Sequence, residues 1–209
     1  MDNKLIRLKI TFAKTDAMRY TSHLDLQRTW ERTLRRARLP LAYSQGFNPR
    51  PKINLGAALP LGFTGAAELI EVWLEDEILL EEIESTLTRA LPPGIVVQEI
   101  VETINPGPKL QNLIYAASYH IILSETPQDI ASTVDALLAQ DEILQDRRGK
   151  RYDLRPLIEE LRLNEDGTLH LQVSTLPGKT GRPDEVLLAL GIDPLTARIQ
   201  RTKLLLKAN

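Results

Sequence analysis

The chain has 209 residues, 43% hydrophobic and 26% charged, with no cysteine; this is a globular composition with room for one large or two small domains, and it excludes disulfides, thiolate metal sites, iron–sulfur clusters and a cysteine nucleophile. The three histidines (His23, His120, His170) are scattered without ligand spacing, no run of about 18 apolar residues occurs and no apolar leader precedes the first charged residues, so the expectation is a cytoplasmic protein without a metal or other cofactor. The net charge of −2 hides an asymmetry: residues 1–65, Asp2 and Lys4 included, carry twelve Lys/Arg against four acids, whereas residues 66–105 carry one base and ten acids. A cationic face of this kind suits a polyanion, although the two segments could instead pair with each other.

Leu5 to Ala13 alternates, with Ile6, Leu8, Ile10 and Phe12 on one face and Arg7, Lys9 and Thr11 on the other, which predicts a half-buried strand with a basic outer face. Ser22 with Asp25 three residues on forms a helix-start signal. Leu26, Trp30, Leu34 and Ala37 make the buried stripe of that helix, Arg28, Arg32, Arg35 and Arg36 lie on another face, and Pro40 ends it. Residues 41–52 hold Gly46, Pro49 and Pro51, which exclude a helix and predict an ordered loop or hairpin. Strands are expected over 53–61, 66–75 and 95–104, with a helix over 78–91. The order β-α-β-β-α-β is that of a split βαβ, ferredoxin-like unit, followed by a linker at Asn105-Pro-Gly-Pro108.

The second half repeats the plan less regularly. Strands are expected at 114–123, 142–148, 169–175 and 197–206. Helices are expected at 126–139, opened by Pro127, and at 183–190, closed by Gly191. A short helical turn follows Pro156 within 153–163, and Asp166-Gly167 signals a hairpin. The predicted fold is α+β, two tandem ferredoxin-like domains, residues 1–105 and 106–209.

Candidate chemistry lies in four places. Arg28, Arg32, Arg35 and Arg36 span about two helical turns and could neutralise phosphates; a solvated helix face is the alternative. The stretch Tyr43-Ser-Gln-Gly-Phe-Asn-Pro-Arg-Pro-Lys52 combines Tyr43 and Phe47 for stacking bases, Gln45 and Asn48 for reading base edges, and Arg50 and Lys52 for phosphates; Phe47 could equally plug the core. His23 near Tyr20 could cleave RNA without metal by general acid–base chemistry, or simply pack at the helix start. Arg147, Arg148, Lys150 and Arg151, with Lys179 and Arg182 at a later helix start, form a secondary anion site or a basic tip that aids solubility. Gly178-Lys-Thr180 is not a nucleotide-binding P-loop, because Val173 stands where its first glycine belongs.

Phe12-Ala-Lys14, Arg19-Tyr-Thr-Ser-His-Leu-Asp25, Arg35-Arg-Ala37, Leu39-Pro-Leu-Ala-Tyr-Ser-Gln-Gly-Phe-Asn-Pro49, Leu59-Pro-Leu-Gly62, Tyr152-Asp-Leu-Arg-Pro156 and Gly181-Arg-Pro-Asp-Glu-Val186 together resemble the radical-SAM-linked (radical-SAM-associated) protein family, a bacterial domain of unknown function of the DUF2344 type. The resemblance spans nearly the whole chain and implies a separate radical-SAM enzyme as partner and an RNA-related setting. The expected function is a non-catalytic RNA-binding adaptor. Its rivals are a metal-independent endoribonuclease using His23 and a protein-interaction module for a radical-SAM enzyme.

Overall fold

The structure is a computed structural model that describes residues 5–207, so Asp2 and Lys4 of the charge count lie outside the described residues. The chain is α+β, built on antiparallel strands with few helices, and divides into two compact units between Leu113 and Ile114.

In the first unit the elements are β1 (Ile6–Lys14), α1 (His23–Arg36), β2 (Ile53–Leu55), β3 (Thr64–Leu74), α2 (Leu80–Ala90), β4 (Ile95–Thr103) and a single turn, α3 (Leu110–Leu113). The strands lie in the order β4-β1-β3-β2, each antiparallel to its neighbour, with Ile10 opposite both Ile70 and Ile100. The alternation read in β1 places Leu8, Ile10 and Phe12 in the core with Leu26, Trp30 and Leu34 of α1 and Ile83 and Leu87 of α2. The Trp30 ring meets Phe12 edge-on at 4.9 Å. Burying each such side chain contributes roughly 1.5–3 kcal/mol.

The outer face of β1 departs from expectation. Arg7 is buried and paired with buried Glu71 of β3. Arg7 also donates to the carbonyl of Pro108 at 2.5 Å, while Glu71 accepts from the Leu110 amide and from Asn54 Nδ2, both at 3.2 Å. The segment after β4 therefore folds back over this face. It is not the predicted linker at 105–108, and the unit boundary falls at 113 rather than 105 because these buried polar groups hold residues 105–113 to the first unit. The strand expected over 53–61 is only three residues long, since the chain turns away after Leu55 and enters the turn Pro60–Phe63.

In the second unit the elements are β5 (Ile114–Leu123), α4 (Ile130–Leu138), β6 (Leu144–Arg147), β7 (Lys150–Asp153), β8 (Ile158–Leu163), β9 (Leu169–Leu176), β10 (Lys179–Thr180), α5 (Pro183–Ala189) and β11 (Ala197–Leu206). The order is β11-β5-β9, with β8 and β10 pairing the far edge of β9, again antiparallel throughout. Strands β6 and β7 form a separate two-stranded ribbon. Two expectations change. Helix α4 starts at Ile130, with Pro127 in a preceding turn. Within 153–163 only Arg155–Leu157 form a helical turn, and residues 158–163 are strand β8, whose buried Ile158 and Leu161, three apart, mimic helical spacing. No helix among the described residues is long and apolar enough to cross a membrane.

Candidate nucleic-acid interface

Helix α1 starts where the sequence predicts: Ser22 Oγ accepts from the Asp25 amide at 3.2 Å. Its buried residues lie on one side, and Arg28, Arg32, Arg35 and Arg36 occupy an exposed arc of about 100° on the other, at 3.6 residues per turn. The four differ in their freedom. Arg28 pairs with Asp25 at 3.3 Å, a weak exposed contact that a phosphate could displace, and Arg35 reaches the largely buried Glu31 only at 4.0 Å. Arg36 donates to the carbonyl of Ala90 at the end of α2. Arg32 makes no ion pair or hydrogen bond among the described residues. Two cations of the amino-terminal third are not on the surface. Besides Arg7, Lys14 is buried and donates to the carbonyls of Phe63 at 3.1 Å and Arg19 at 3.3 Å.

The chain leaves α1 through Arg38, and Pro40 accepts from the Glu75 amide at 2.8 Å, so the helix end and the loop beyond it are fixed to the end of β3. Residues 42–52 then form a small hairpin. Ala42 and Lys52 both bond to the backbone of Trp73, Lys52 N donates to Ala42 O at 2.7 Å, and Tyr43 bridges Pro51. Nearer the tip, Ser44 N donates to Arg50 O at 2.8 Å and Arg50 N to Ser44 Oγ at 3.1 Å. Gly46 supplies a backbone with φ of 133°, a region side chains rarely enter. The reading of Phe47 as a core plug is ruled out: the ring is fully exposed, at 106% of its reference area. Tyr43, Gln45, Asn48, Arg50 and Lys52 are exposed as well. From Arg32 to Ala67 the chain has six Lys/Arg and no Asp or Glu. The hairpin and the carboxyl-terminal end of α1 share one end of the sheet, while Arg28 lies about 12 Å back along the helix at 1.5 Å per residue.

His23 is the first helical residue and is partly exposed; Tyr20 is 75% exposed with the Arg19 guanidinium over its ring at 5.6 Å. What sequence reasoning missed is the joint beneath them. Arg19 Nε donates to Gly62 O at 2.7 Å and Gly62 N to Arg19 O at 3.1 Å, while Lys14 reaches both segments. Three of the motifs that carry the resemblance, those containing Lys14, Arg19 and Gly62, therefore meet in one structural joint. A lysine on a strand of otherwise apolar inward positions was the available signal.

In the second unit Arg147 is held internally. It donates to both carboxylate oxygens of Glu185, one at 2.7 Å, to Thr180 O at 2.9 Å and to Tyr152 Oη at 3.1 Å, and it stacks on the Tyr152 ring at 4.6 Å. Glu185, chiefly by hydrogen bonding, raises the Arg147 pKa further; burial, then Glu185, pushes the Tyr152 phenol up to about 12. Arg148, Lys150 and Arg151 are exposed, as are Lys179 and Arg182. Helix α5 is seven residues long and carries Asp184 and Glu185 in its first turn, so negative charge already occupies the helix start where Lys179 and Arg182 were expected to hold an anion. No group of three or more His, Asp or Glu suited to a metal ion occurs among the described residues.

A sequence profile described as an uncharacterized protein conserved in bacteria (DUF2344) matches residues 7–183. The chain belongs to the DUF2344 family. The match runs from the buried Arg7 to the first residue of α5 and so takes in α1, the 42–52 hairpin and the β6–β7 ribbon. No curated protein matches. Among solved structures, the chain is similar to an unknown protein from Galdieria sulphuraria at 15% identity, covering 98% of this chain and 99% of that one, with a TM-score of 0.29. A score that low carries no argument about fold.

Proposed function

We propose that this DUF2344 protein is a non-catalytic RNA-binding adaptor that takes single-stranded RNA on the 42–52 hairpin and the arginine face of α1. One observation carries the reading: the fully exposed Phe47 ring stands at the tip of a hairpin braced by backbone hydrogen bonds, among amides and cations rather than apolar neighbours. Leaving a phenylalanine in water forgoes roughly 1.5–3 kcal/mol of burial. Stacking on a base recovers about 1–3 kcal/mol, and it is sequence-tolerant. Arg50, Lys52, Arg32 and Arg36 then supply phosphate contacts, and Gln45 and Asn48 supply donors and acceptors for base edges. Each unit is read as a ferredoxin-like βαββαβ, supported by the strand orders β4-β1-β3-β2 and β11-β5-β9-β8. Association with a separate radical-SAM enzyme belongs to the same proposal and rests on the motif resemblance alone.

The test is photocrosslinking of the full chain to a single-stranded RNA containing 4-thiouridine, followed by mapping of the modified peptide. Crosslinks within residues 43–52 are expected. Crosslinks confined to other segments, or none at concentrations that saturate binding, would overturn the reading.

A further inference from the structure

The carboxyl-terminal ends of α1 and α2 frame a cavity of about 340 Å³, lined by Arg36, Ala37, Arg38, Thr86, Arg89 and Ala90. That volume lies at the small end of the range of small-ligand sites, about 300–1,000 Å³. Ala37 and Ala90 are buried and form its floor, and the three arginines are exposed around them. Arg89 is the one base among ten acids between residues 66 and 105, yet it lines the same cavity as Arg36 and Arg38, and no Asp or Glu lines it. The acidic and basic segments of the sequence therefore do not neutralise each other here.

The cations are positioned without being paired. Arg36 donates to the Ala90 carbonyl, and Arg89 Nε donates to the Ser85 carbonyl at 3.2 Å. Most of the five donors of each guanidinium stay available. Arg38 makes no side-chain hydrogen bond or ion pair among the described residues. Its backbone has φ of 58°, directly after the C-cap Ala37, where glycine or asparagine is the usual residue. An arginine there holds a cation at the cavity in a conformation it disfavours. The Thr86 hydroxyl already donates to the Glu82 carbonyl at 2.8 Å, so recognition of an anion falls to the arginines.

The helix ends do not cancel this charge. Each helix C-terminus carries about −0.5, so the two together contribute about −1 against three full positive charges, and about +2 remains. A phosphate monoester matches that balance, with a charge of about −1.5 to −2 at pH 7 and three acceptor oxygens. An internal phosphodiester carries a single charge and continues as chain on both sides, which suits the open arginine face of α1 better than a floored cavity. The source of the phosphate follows from the neighbourhood. The end of α1 is fixed to β3 through Pro40 and Glu75, and the 42–52 hairpin follows directly. From Arg38 to Tyr43 the chain spans at most about 18 Å, so a strand with bases on the hairpin has its end within reach of the cavity.

We propose that the cavity between the ends of α1 and α2 binds the terminal phosphate monoester of a single-stranded RNA, held by Arg36, Arg38 and Arg89. The inference deepens the RNA-binding reading and rests on it: it names the form of RNA, a strand whose end is phosphorylated.

The test uses the full chain and one single-stranded RNA of about ten nucleotides, within the range of single-strand binding sites, in three forms: 5′-phosphate, 3′-phosphate, and hydroxyl at both ends. The wild-type protein should bind one of the phosphorylated forms about tenfold or more tighter than the hydroxyl form, the value of one charge-assisted hydrogen bond; the two arms say which end is held. The variant is Arg38→Asn/Arg89→Gln. Asparagine suits the left-handed position and glutamine suits a helix, so thermal unfolding should hold. In this variant the preference should be lost, while binding of the hydroxyl form is unchanged. Equal binding of the three forms by the wild-type protein overturns the proposal, whatever the variant does. A preference kept in full by the double variant also overturns it, by placing the phosphate elsewhere. Uridine monophosphate that binds as tightly as the phosphorylated RNA overturns it in favour of a free nucleotide. A phosphoserine peptide bound by the wild-type protein and not by the variant, with the three RNAs bound alike, overturns it in favour of a phosphoprotein. Failure of the RNA-binding reading is distinct: none of the three RNAs would bind, and both proposals would fall together.

Discussion

Replacing Arg7 with methionine removes the cation from a pair whose side chains are only 5% and 4% exposed. Methionine fills much of the arginine's volume, so the cavity left behind is small. The cost comes from Glu71. It keeps two donors, Asn54 Nδ2 and the Leu110 amide, each at 3.2 Å, but its charge is left uncompensated in a site closed to water. Breaking a buried pair from one side costs about 3–5 kcal/mol. In a protein of this size each kcal/mol lowers the melting temperature by about 2–4 °C, so a fall of about 10 °C is expected. Urea unfolding can be followed by tryptophan fluorescence, because Trp73, one of two tryptophans, lies under the Arg7 guanidinium at 5.4 Å. The double variant Arg7→Met/Glu71→Gln removes the stranded charge yet keeps an acceptor for Asn54 and Leu110. It should recover at least half of the loss, since a neutral hydrogen bond is worth about 0.5–1.5 kcal/mol. A single-variant cost below about 1 kcal/mol, the value of an exposed pair, would refute the reasoning. So would a double variant no better than the single.

Phe47→Ala should weaken single-stranded RNA binding by about 1–3 kcal/mol in a fluorescence anisotropy titration, while the melting temperature stays unchanged because the ring touches no core. Arg32→Ala/Arg36→Ala should weaken binding across RNA sequences and lower the salt slope by about 2; calorimetry should also show a loss of about 0.5–1.5 kcal/mol from the Arg36 bond to Ala90. Gly181→Ala places a methyl 2.9 Å from Val173 Cβ and 3.1 Å from the Leu157 carbonyl, so denaturant unfolding should report a loss of about 1–3 kcal/mol. In the folded protein Tyr152 should ionise near pH 12, above the ordinary 10.0, because burial and Glu185 favour the neutral phenol. Its stabilisation is complete below pH 10 and is lost as the pH rises toward 12; ultraviolet titration should show a late phenolate step that Tyr152→Phe removes.

Much of the architecture was legible because it is local. Alternation in 6–12, the Ser22–Asp25 start, the stripe Leu26-Trp30-Leu34 and Gly191 after α5 each depend on neighbours within a turn or a strand, and the structure has them at those positions. Strand β5 and strand β11 begin and end where their sequence pattern does. Misreadings arose where a partner distant in sequence decides. Strand β8 was not foreseen because it exists through the hydrogen bonds β9 offers it, and its buried Ile158 and Leu161, three residues apart, lack a strand's alternation. The segment 105–108 looks like a linker until Arg7 is seen to donate to the Pro108 carbonyl.

The candidate sites divide in the same way. Residue type and order alone put four arginines on one face of α1 and gathered aromatic, amide and cationic groups between Tyr43 and Lys52. Which of those groups meet water is a property of packing. Only the folded chain exposes Phe47, buries Arg7 and Lys14, and commits Arg147 to Glu185 while leaving Arg148, Lys150 and Arg151 outside. The reason is that a charge is cheap to place in sequence but costly to bury, so its fate depends on whether a carboxylate or carbonyl from another element arrives beside it.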